Sequence, residues 1–240
     1  VTHTIFNIID RIPRDRFDFM FIAPKPLSMP AKVDWPVFHC PAVRFPLYRQ
    51  YQLVLPHLSK KLRETLKKFA PDIIHFTTPS FLGFFAVRYG KTHEIPIVNI
   101  YHTHFPAYLE YYFPKFILPV VFWLFFYLMR FIYAPCSLTL APSTPIRDFL
   151  LKNGISPQKL DILGRGVDIE CFSPRLGVSK KEIFLIDDKI KVLLFVGRLV
   201  YEKEIKTLIR IYSEITQNRD DVKFVVVGDG PRYNYLRKRM

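Results

Sequence analysis

The chain has 240 residues and a mass of 28.4 kDa, with 50% of its residues hydrophobic and 23% charged. That excludes a disordered chain and leaves room for one large domain or two small ones, while Gly 9 and Pro 20 exclude a collagen-like repeat. Lys+Arg 35 against Asp+Glu 21 gives a net charge of +14 and an isoelectric point near 9.7, a field that attracts polyanions: nucleic acid, an anionic membrane surface or phosphorylated substrates.

The first residue is Val1, and no basic region followed by an apolar stretch marks a secretory signal. Helix-like patterns at both ends read as those of a fragment with both ends missing. Ile5, Ile8, Ile9 and Ile12 have helical spacing within Thr4–Ile12. Phe17–Ala23 is a short aromatic-rich run stopped by Pro24 and Pro26 and predicts a strand. Leu27–Pro46, broken by prolines, predicts loops around one short strand. Leu53–Phe69 predicts one amphipathic helix with Leu55, Leu58, Leu62 and Leu66 on its apolar face. The basic remainder of that helix (Lys60, Lys61, Arg63, Lys67, Lys68) reads as solvated surface rather than a nucleic-acid site.

Strand Ile73–Phe76, helix Phe81–Tyr89 and strand Ile95–Tyr101 then follow in close succession, which implies a parallel sheet with right-handed crossovers. Further strands are expected at Ser137–Ala141 and Leu160–Leu163, with a helix Thr144–Lys152 between them that stops before Gly154. Ser173–Lys189 is polar and linker-like. After it the pattern restarts: buried strand Lys191–Val196, helix Ile205–Ile215 and buried strand Val222–Val227 form a second βαβ unit.

The most hydrophobic run is Phe116–Met129 (FILPVVFWLFFYLM), lengthened by Phe131, Ile132 and Tyr133 around Arg130. It is shorter than the ~20 residues needed to span a bilayer. It fits a buried core helix or a helix lying in a membrane interface, anchored by Trp123 and Tyr127 and flanked by Lys115 and Arg130. A true transmembrane span fits least well, and the basic total favours anionic lipid. Cys40, Cys136 and Cys171 have no CxxC spacing, form no zinc site alone and read as small buried hydrophobes in a reducing compartment.

Three places could carry chemistry. Tyr101-His102-Thr103-His104 lies beyond the carboxyl end of an apolar strand, the edge where parallel sheets bind ligands. A histidine there can donate to a sugar hydroxyl or a developing oxyanion, or simply cap the following turn. The HxH spacing has no nearby carboxylate or cysteine to complete a metal site, and no metal is expected. Gly197-Arg198 follows the strand Lys191–Val196, and Lys203 precedes the next helix, so two cations stand beside a helix N-terminus suited to phosphate. The alternative is a pair of surface cations, with Lys203 paired to Glu202 or Glu204. Gly228-Asp229-Gly230-Pro231 is a tight turn after a strand and is not the dinucleotide fingerprint GxGxxG.

Taken in order, PDIIHFTTPSFLG, YHTHFPAYLEYY, APSTPIRDFL, LGRGVDIECFSP, FVGRLVYEK and VVVGDGP resemble the family 4 retaining glycosyltransferases, of the two-Rossmann GT-B type. HTHFPAYL with GRGVDIECFSP is similar to the members that build membrane glycolipids, GDP-mannose-dependent α-mannosyltransferases and sulfoquinovosyl-diacylglycerol synthases. The resemblance implies an α/β fold of two Rossmann-like domains with parallel sheets: an acceptor-side domain over 1–172 lacking its first strand and Gly-rich loop, a linker over 173–189, and the start of an incomplete nucleotide-sugar domain over 190–240.

By the same resemblance, His102 faces the donor sugar, and Arg198 and Lys203 hold the donor diphosphate. Gly197 lets the diphosphate approach, Gly228 and Gly230 belong to the loop near the nucleotide, and His104, Arg165 and Asp168 line the cleft. Glu204 stands where the family usually has Gly or Asn. The family's C-terminal pair of glutamates would lie beyond Met240, so the fragment is expected to be inactive alone. The implied activity moves a hexose, mannose or similar, from a GDP- or UDP-sugar to a membrane lipid or glycoconjugate with retention and no cofactor. The implied location is cytoplasmic, peripheral at the inner face of the membrane, with an anionic membrane surface and no nucleic acid as partner. The alternatives are a sugar-nucleotide epimerase of the same architecture and a non-catalytic basic protein that binds anionic lipid or nucleic acid.

Overall fold

The computed structural model describes residues 5, 8–25, 35–44, 52–164, 166–170, 172–173, 183–187 and 189–239. The chain divides into two compact units, one of residues 1–106 and 114–166, the other of 107–113 and 167–240. Of the expected linker over 173–189, only 173, 183–187 and 189 lie within the described residues.

The first unit opens with helical backbone at Ile5, Ile8 and Ile9. Strand β1 (Phe21–Pro24) pairs in parallel with β2 (Val37–Cys40), Phe21 opposite Val37. The expected strand over Phe17–Ala23 thus starts later. Phe21 N–H donates to the carbonyl of Pro36, and Pro36 has no N–H with which to carry the ladder back towards Met20. Among its described residues the proline-broken stretch holds two strands rather than one, because β3 (Ala42–Arg44) follows β2 after Pro41 and pairs antiparallel with β4 (Gln52–Val54).

The expected helix over Leu53–Phe69 is therefore three pieces. Leu53 lies in β4, Pro56–Leu58 is a 3-10 turn, and only α1 (Lys60–Phe69) is an α-helix. Ser59 restarts the chain as N-cap, its Oγ accepting from Leu62 N–H at 3.1 Å. Leu62 and Leu66 are buried, whereas Leu58 is exposed.

The main sheet is parallel throughout, in the order β5 (Ile74–Phe76), β6 (Ile97–Ile100), β7 (Leu138–Ala141), β8 (Leu160–Ile162). Ile74 faces Ile97, Val98 faces Leu138 and Thr139 faces Leu160. Helix α2 (Phe81–Thr92) crosses from β5 to β6 and runs past the expected Tyr89; Ser80 Oγ caps its first turn through Gly83 N–H at 3.3 Å. Helices α3 (Phe105–Tyr112) and α4 (Leu118–Tyr133) lie between β6 and β7 in the chain, and α5 (Thr144–Lys152) between β7 and β8. The core of this unit joins Phe76, Ile97, Tyr101, Met129, Ile132, Tyr133 and Leu150. Burying such side chains is worth about 1.5–3 kcal/mol each before chain entropy is counted.

The long apolar segment resolves into α4 with two unlike faces. Met129, Ile132 and Tyr133 are buried in the core, while Val120, Trp123, Tyr127 and Phe131 are exposed. No helix among the described residues is long and apolar enough to cross a membrane.

In the second unit β9 (Lys191–Val196) pairs in parallel with β10 (Val222–Val227), in register from Lys191↔Val222 to Val196↔Val227. Helix α6 (Ile205–Thr216) connects them and α7 (Tyr233–Arg237) follows. The core is Leu199, Ile205 and Leu236, with Phe195, Leu208 and Val226 against it. Strand β9 was expected to be buried, yet Leu193, Leu194 and Val196 are exposed. Among the described residues β9 pairs only with β10.

Cys40 and Cys136 are buried free thiols, and burial pushes both up, that of Cys136 to about 12. Cys171 lies outside the described residues. The thiolate is the reactive form, so at roughly pH 8 neither thiol is expected to react with iodoacetamide in the folded protein, and both should react after unfolding in urea. Peptide mass spectrometry reads the outcome, and native labelling at Cys136 would contradict the packing described.

Candidate functional site

Each unit places one group of the sequence-derived residues. In the first, β6 delivers its carboxyl end to Tyr101, whose N–H still donates to Leu140 of β7 at 2.8 Å. The next three residues turn away before α3 begins at Phe105, with Phe105 N–H donating to the Thr103 carbonyl at 3.0 Å. Tyr101 is buried, and its burial pushes the phenol above its ordinary pKa against a lowering backbone hydrogen bond from Phe105. The Tyr101 hydroxyl lies 3.4 Å from His104 Nδ1, and the His104 ring stands edge-on to Phe149 at 4.7 Å between centroids. His102 is buried with Nε2 shielded from solvent. Beneath it in β6, fully buried Asn99 donates from Nδ2 to the Phe76 carbonyl at 3.0 Å, tying β6 to β5 through a side chain as well as the ladder.

The first unit also carries a half-open cavity of about 1660 Å³, lined by Phe21, Ile22, Val54, Ile74, Phe76 and Phe85 among others. Strands β1 and β5 each pair on one edge only among the described residues, and both line it.

In the second unit the two strand ends are laced together. Gly197 N–H donates to the Val227 carbonyl at 3.0 Å, Leu199 N–H to that of Asp229 at 2.9 Å, and Arg232 N–H to that of Leu199 at 2.9 Å. Gly228 and Gly230 hold φ of +152° and +156°, and a Cβ at either would collide with the carbonyl of Gly197 or of Leu199. Only glycine fits there. The other loop is anchored because Leu199 and Val200 are buried, while Arg198 and Lys203 are exposed. A 3-10 turn at Tyr201–Lys203 then leads to Glu204, the N-cap of α6. Among the described residues Lys203 forms no ion pair with Glu202 or Glu204. Two cations ahead of a 12-residue helix leave that helix's N-terminal amides as further anion donors.

Sequence reasoning missed the part of this loop pair that faces Tyr201. The Arg232 guanidinium stacks 4.0 Å from the Tyr201 ring centroid and 4.2 Å from that of Tyr235, whose ring is also 4.0 Å from the Arg239 guanidinium. Arg232 Nε is buried and makes no hydrogen bond among the described residues, so ring faces take the place of acceptors. An arginine directly after GDGP and a tyrosine directly before EK were the available signals.

The remaining sequence-derived residues are less informative. Asp168 is half-buried and builds a turn, its Oδ1 accepting from Glu170 N–H at 3.1 Å and its carbonyl from Phe172 N–H at 2.8 Å. Arg165 lies outside the described residues.

Against known proteins, the Glycosyltransferase Family 4 profile matches residues 1–171, and the Glycosyl transferases group 1 profile matches 179–240. The Arabidopsis thaliana protein named Sulfoquinovosyl transferase SQD2 is 30% identical over 197 residues, 80% of this chain and 37% of that protein. The GDP-mannose-dependent alpha-mannosyltransferase of Corynebacterium glutamicum is 28% identical over 247 residues, 100% of this chain and 56% of that protein. The Alpha-monoglucosyldiacylglycerol synthase of Streptococcus pneumoniae is 28% identical, over 86% of this chain and 47% of that protein. This chain thus spans from 37% to 56% of those relatives' lengths. Among solved structures, Anabaena Alr3699/HepE in complex with UDP matches with a TM-score of 0.62 at 15% identity, over 92% of this chain and 64% of that one. Sucrose-phosphate synthase from Thermosynechococcus elongatus matches with 0.59 at 16% identity, over 87% and 52%. These likenesses show the fold, the GT-B arrangement of Rossmann-like domains with parallel sheets.

Glu204 holds φ +50° and ψ +44°, a left-handed conformation that costs an L-residue about 1–2 kcal/mol and suits Gly or Asn. Its side chain makes no cap bond to the helix, and its Oε2 accepts from the Thr207 hydroxyl at 3.4 Å. Glu204→Asn is therefore expected to raise stability by about 0.5–1 kcal/mol, through relief at φ. Thermal unfolding measures it; a lower midpoint for the Asn variant would contradict the geometry.

Proposed function

The chain belongs to glycosyltransferase family 4, and from that premise we propose that its enzyme moves a hexose, mannose or a similar sugar, from a GDP- or UDP-sugar to a membrane lipid or glycoconjugate acceptor, with retention of anomeric configuration. The observation that carries this reading is the laced pair of loops in the second unit. The Gly228 and Gly230 positions admit no side chain, and Arg198 and Lys203 stand exposed on the facing loop ahead of the N-terminus of α6. That is the arrangement a diphosphate needs: a close backbone approach, two cations and helix amides with unfilled donors.

The chemical step breaks the bond between the anomeric carbon and the donor's β-phosphate oxygen and forms one from that carbon to an acceptor hydroxyl oxygen, whose proton passes to the departing diphosphate as negative charge grows on it. Arg198 and Lys203 neutralise that charge, and leaving-group stabilisation is the main catalytic contribution. The guanidinium can take two phosphate oxygens at once, whereas the ammonium acts as a point charge. We assign His102, held at the carboxyl end of β6, to a hydroxyl of the donor sugar or to charge developing there. His104 is fixed by Tyr101 and Phe149 rather than aimed by its own loop, and acts on the orientation of this turn.

No protein-bound cofactor and no obligatory metal enters the proposed step. The names of the relatives, two of which specify mannosyl or diacylglycerol-linked chemistry, support a lipid or glycoconjugate acceptor. The basic balance of the chain supports work at the inner, anionic face of a membrane from the cytoplasm.

In the intact enzyme, the Arg198→Ala/Lys203→Ala variant is expected to lose roughly 10²–10³-fold or more of sugar transfer while keeping its circular dichroism spectrum. The assay offers a panel of nucleotide sugars with membrane lipid extract and follows the glycosylated product. Wild-type turnover in that variant would refute the assignment of the diphosphate to these two side chains.

A further inference from the structure

Helix α4 is apolar on both sides, and among the described residues only one side is covered. Phe116, just before the helix, is 83% exposed, and Val120, Trp123, Tyr127 and Phe131 along it are 68%, 68%, 59% and 62% exposed. With exposed Leu124 these residues fall at i, i+4, i+7, i+8, i+11 and i+15, one continuous stripe of the helix surface. The opposite stripe, Met129, Ile132 and Tyr133, already fills the core of the first unit. An apolar stripe this long on the outside of a folded unit marks a surface that is covered in use.

Charge chooses the occupant. No Asp or Glu occurs between Glu110 and Asp148, while Lys115 and Arg130 flank the stripe. Arg130 is held at the carboxyl end of α4 by its Nε bond to the Asn153 carbonyl at 2.9 Å, and Lys159 joins that end through Nζ to the Ala134 carbonyl at 2.8 Å. A second copy of this chain would bring another +14 against this patch with no acidic residue on it to meet that charge. An anionic lipid surface meets both features at once, since acyl chains take the stripe and headgroups take the cations. Trp123 and Tyr127, stacked at 5.9 Å between centroids, have the apolar body and polar tip that settle at the headgroup boundary. The 16-residue helix is about 24 Å long, short of a span, so it lies in the membrane plane.

We propose that the outward stripe of α4 inserts into the headgroup boundary of an anionic bilayer and is the element that seats the first unit on the membrane. The inference deepens the lipid-acceptor reading and rests on it for its purpose, but its test uses neither donor nor acceptor, so the two can fail separately.

The chain has Trp 2, Trp35 and Trp123, so a Trp35→Phe variant reports on α4 alone. With vesicles of equal parts phosphatidylglycerol and phosphatidylcholine, Trp123 emission is expected to shift to the blue and to be quenched by acyl-brominated lipid. Pure phosphatidylcholine vesicles should produce little of either. A Trp123→Ser/Leu124→Ser/Tyr127→Ser variant should co-sediment with the anionic vesicles roughly tenfold more weakly at an unchanged melting temperature. Emission that neither shifts nor quenches overturns the proposal. So does a folded triple variant that sediments like the parent, or a dimer in size-exclusion chromatography that the triple variant abolishes. Should the triple variant fail to fold, the quenching of Trp123 decides alone.

Discussion

The parallel ladder of β9 and β10 does not stop where the strands stop. It continues through Gly197 to Val227 and Leu199 to Asp229, and is closed by Arg232 to Leu199. This continuation brings two loop backbones so close that a Cβ at Gly228 or Gly230 cannot be accommodated. Because Leu199 and Val200 are pulled into the core by the same pairing, Arg198 is left on the outside, and Lys203 emerges one 3-10 turn later at the head of α6. The proposed diphosphate chemistry follows from that backbone constraint, since the cations are exposed beside two hydrogen-bonded loop backbones.

The loops are held from the side by a stack rather than by further hydrogen bonds. Arg232 lies between Tyr201 and Tyr235, linking the segment after β9 to the helix after β10. Each such cation–π contact is worth about 0.5–2 kcal/mol depending on desolvation, enough to bias loop position without making it rigid. The first unit uses a different device: a tyrosine buried beneath the turn, Tyr101, steadies His104 from below, while Asn99 stitches β6 to β5.

Local signals read well where the structure is local. The sequence alone locates β9, β10 and α5 with their observed boundaries, because an apolar run, a proline at the first helical turn and a left-handed Gly154 leave few options. Leu53–Phe69 misleads because its leucines keep helical spacing across a strand, a proline turn and a helix; Pro56 and the Ser59 cap, not the periodicity, set the break. Among the described residues Phe17–Met20 lack a partner strand rather than strand propensity, and the position of Pro36 reveals it. Hydropathy marks the apolar segment but cannot say which of its faces the fold covers, because the covering residues come from α2 and the sheet. The glycines of GDGP are legible as a turn, yet their need for close approach depends on carbonyls some 30 residues earlier in the chain.

The diphosphate clamp is the claim on which the functional account stands. A crystal structure of the intact enzyme with GDP or UDP tests it directly. The account predicts diphosphate oxygens within about 3 Å of both the Arg198 guanidinium and the Lys203 ammonium, with the pyrophosphate against the backbone of the Gly228–Gly230 loop. A nucleotide whose phosphates rest elsewhere, with both side chains turned to solvent, would contradict it.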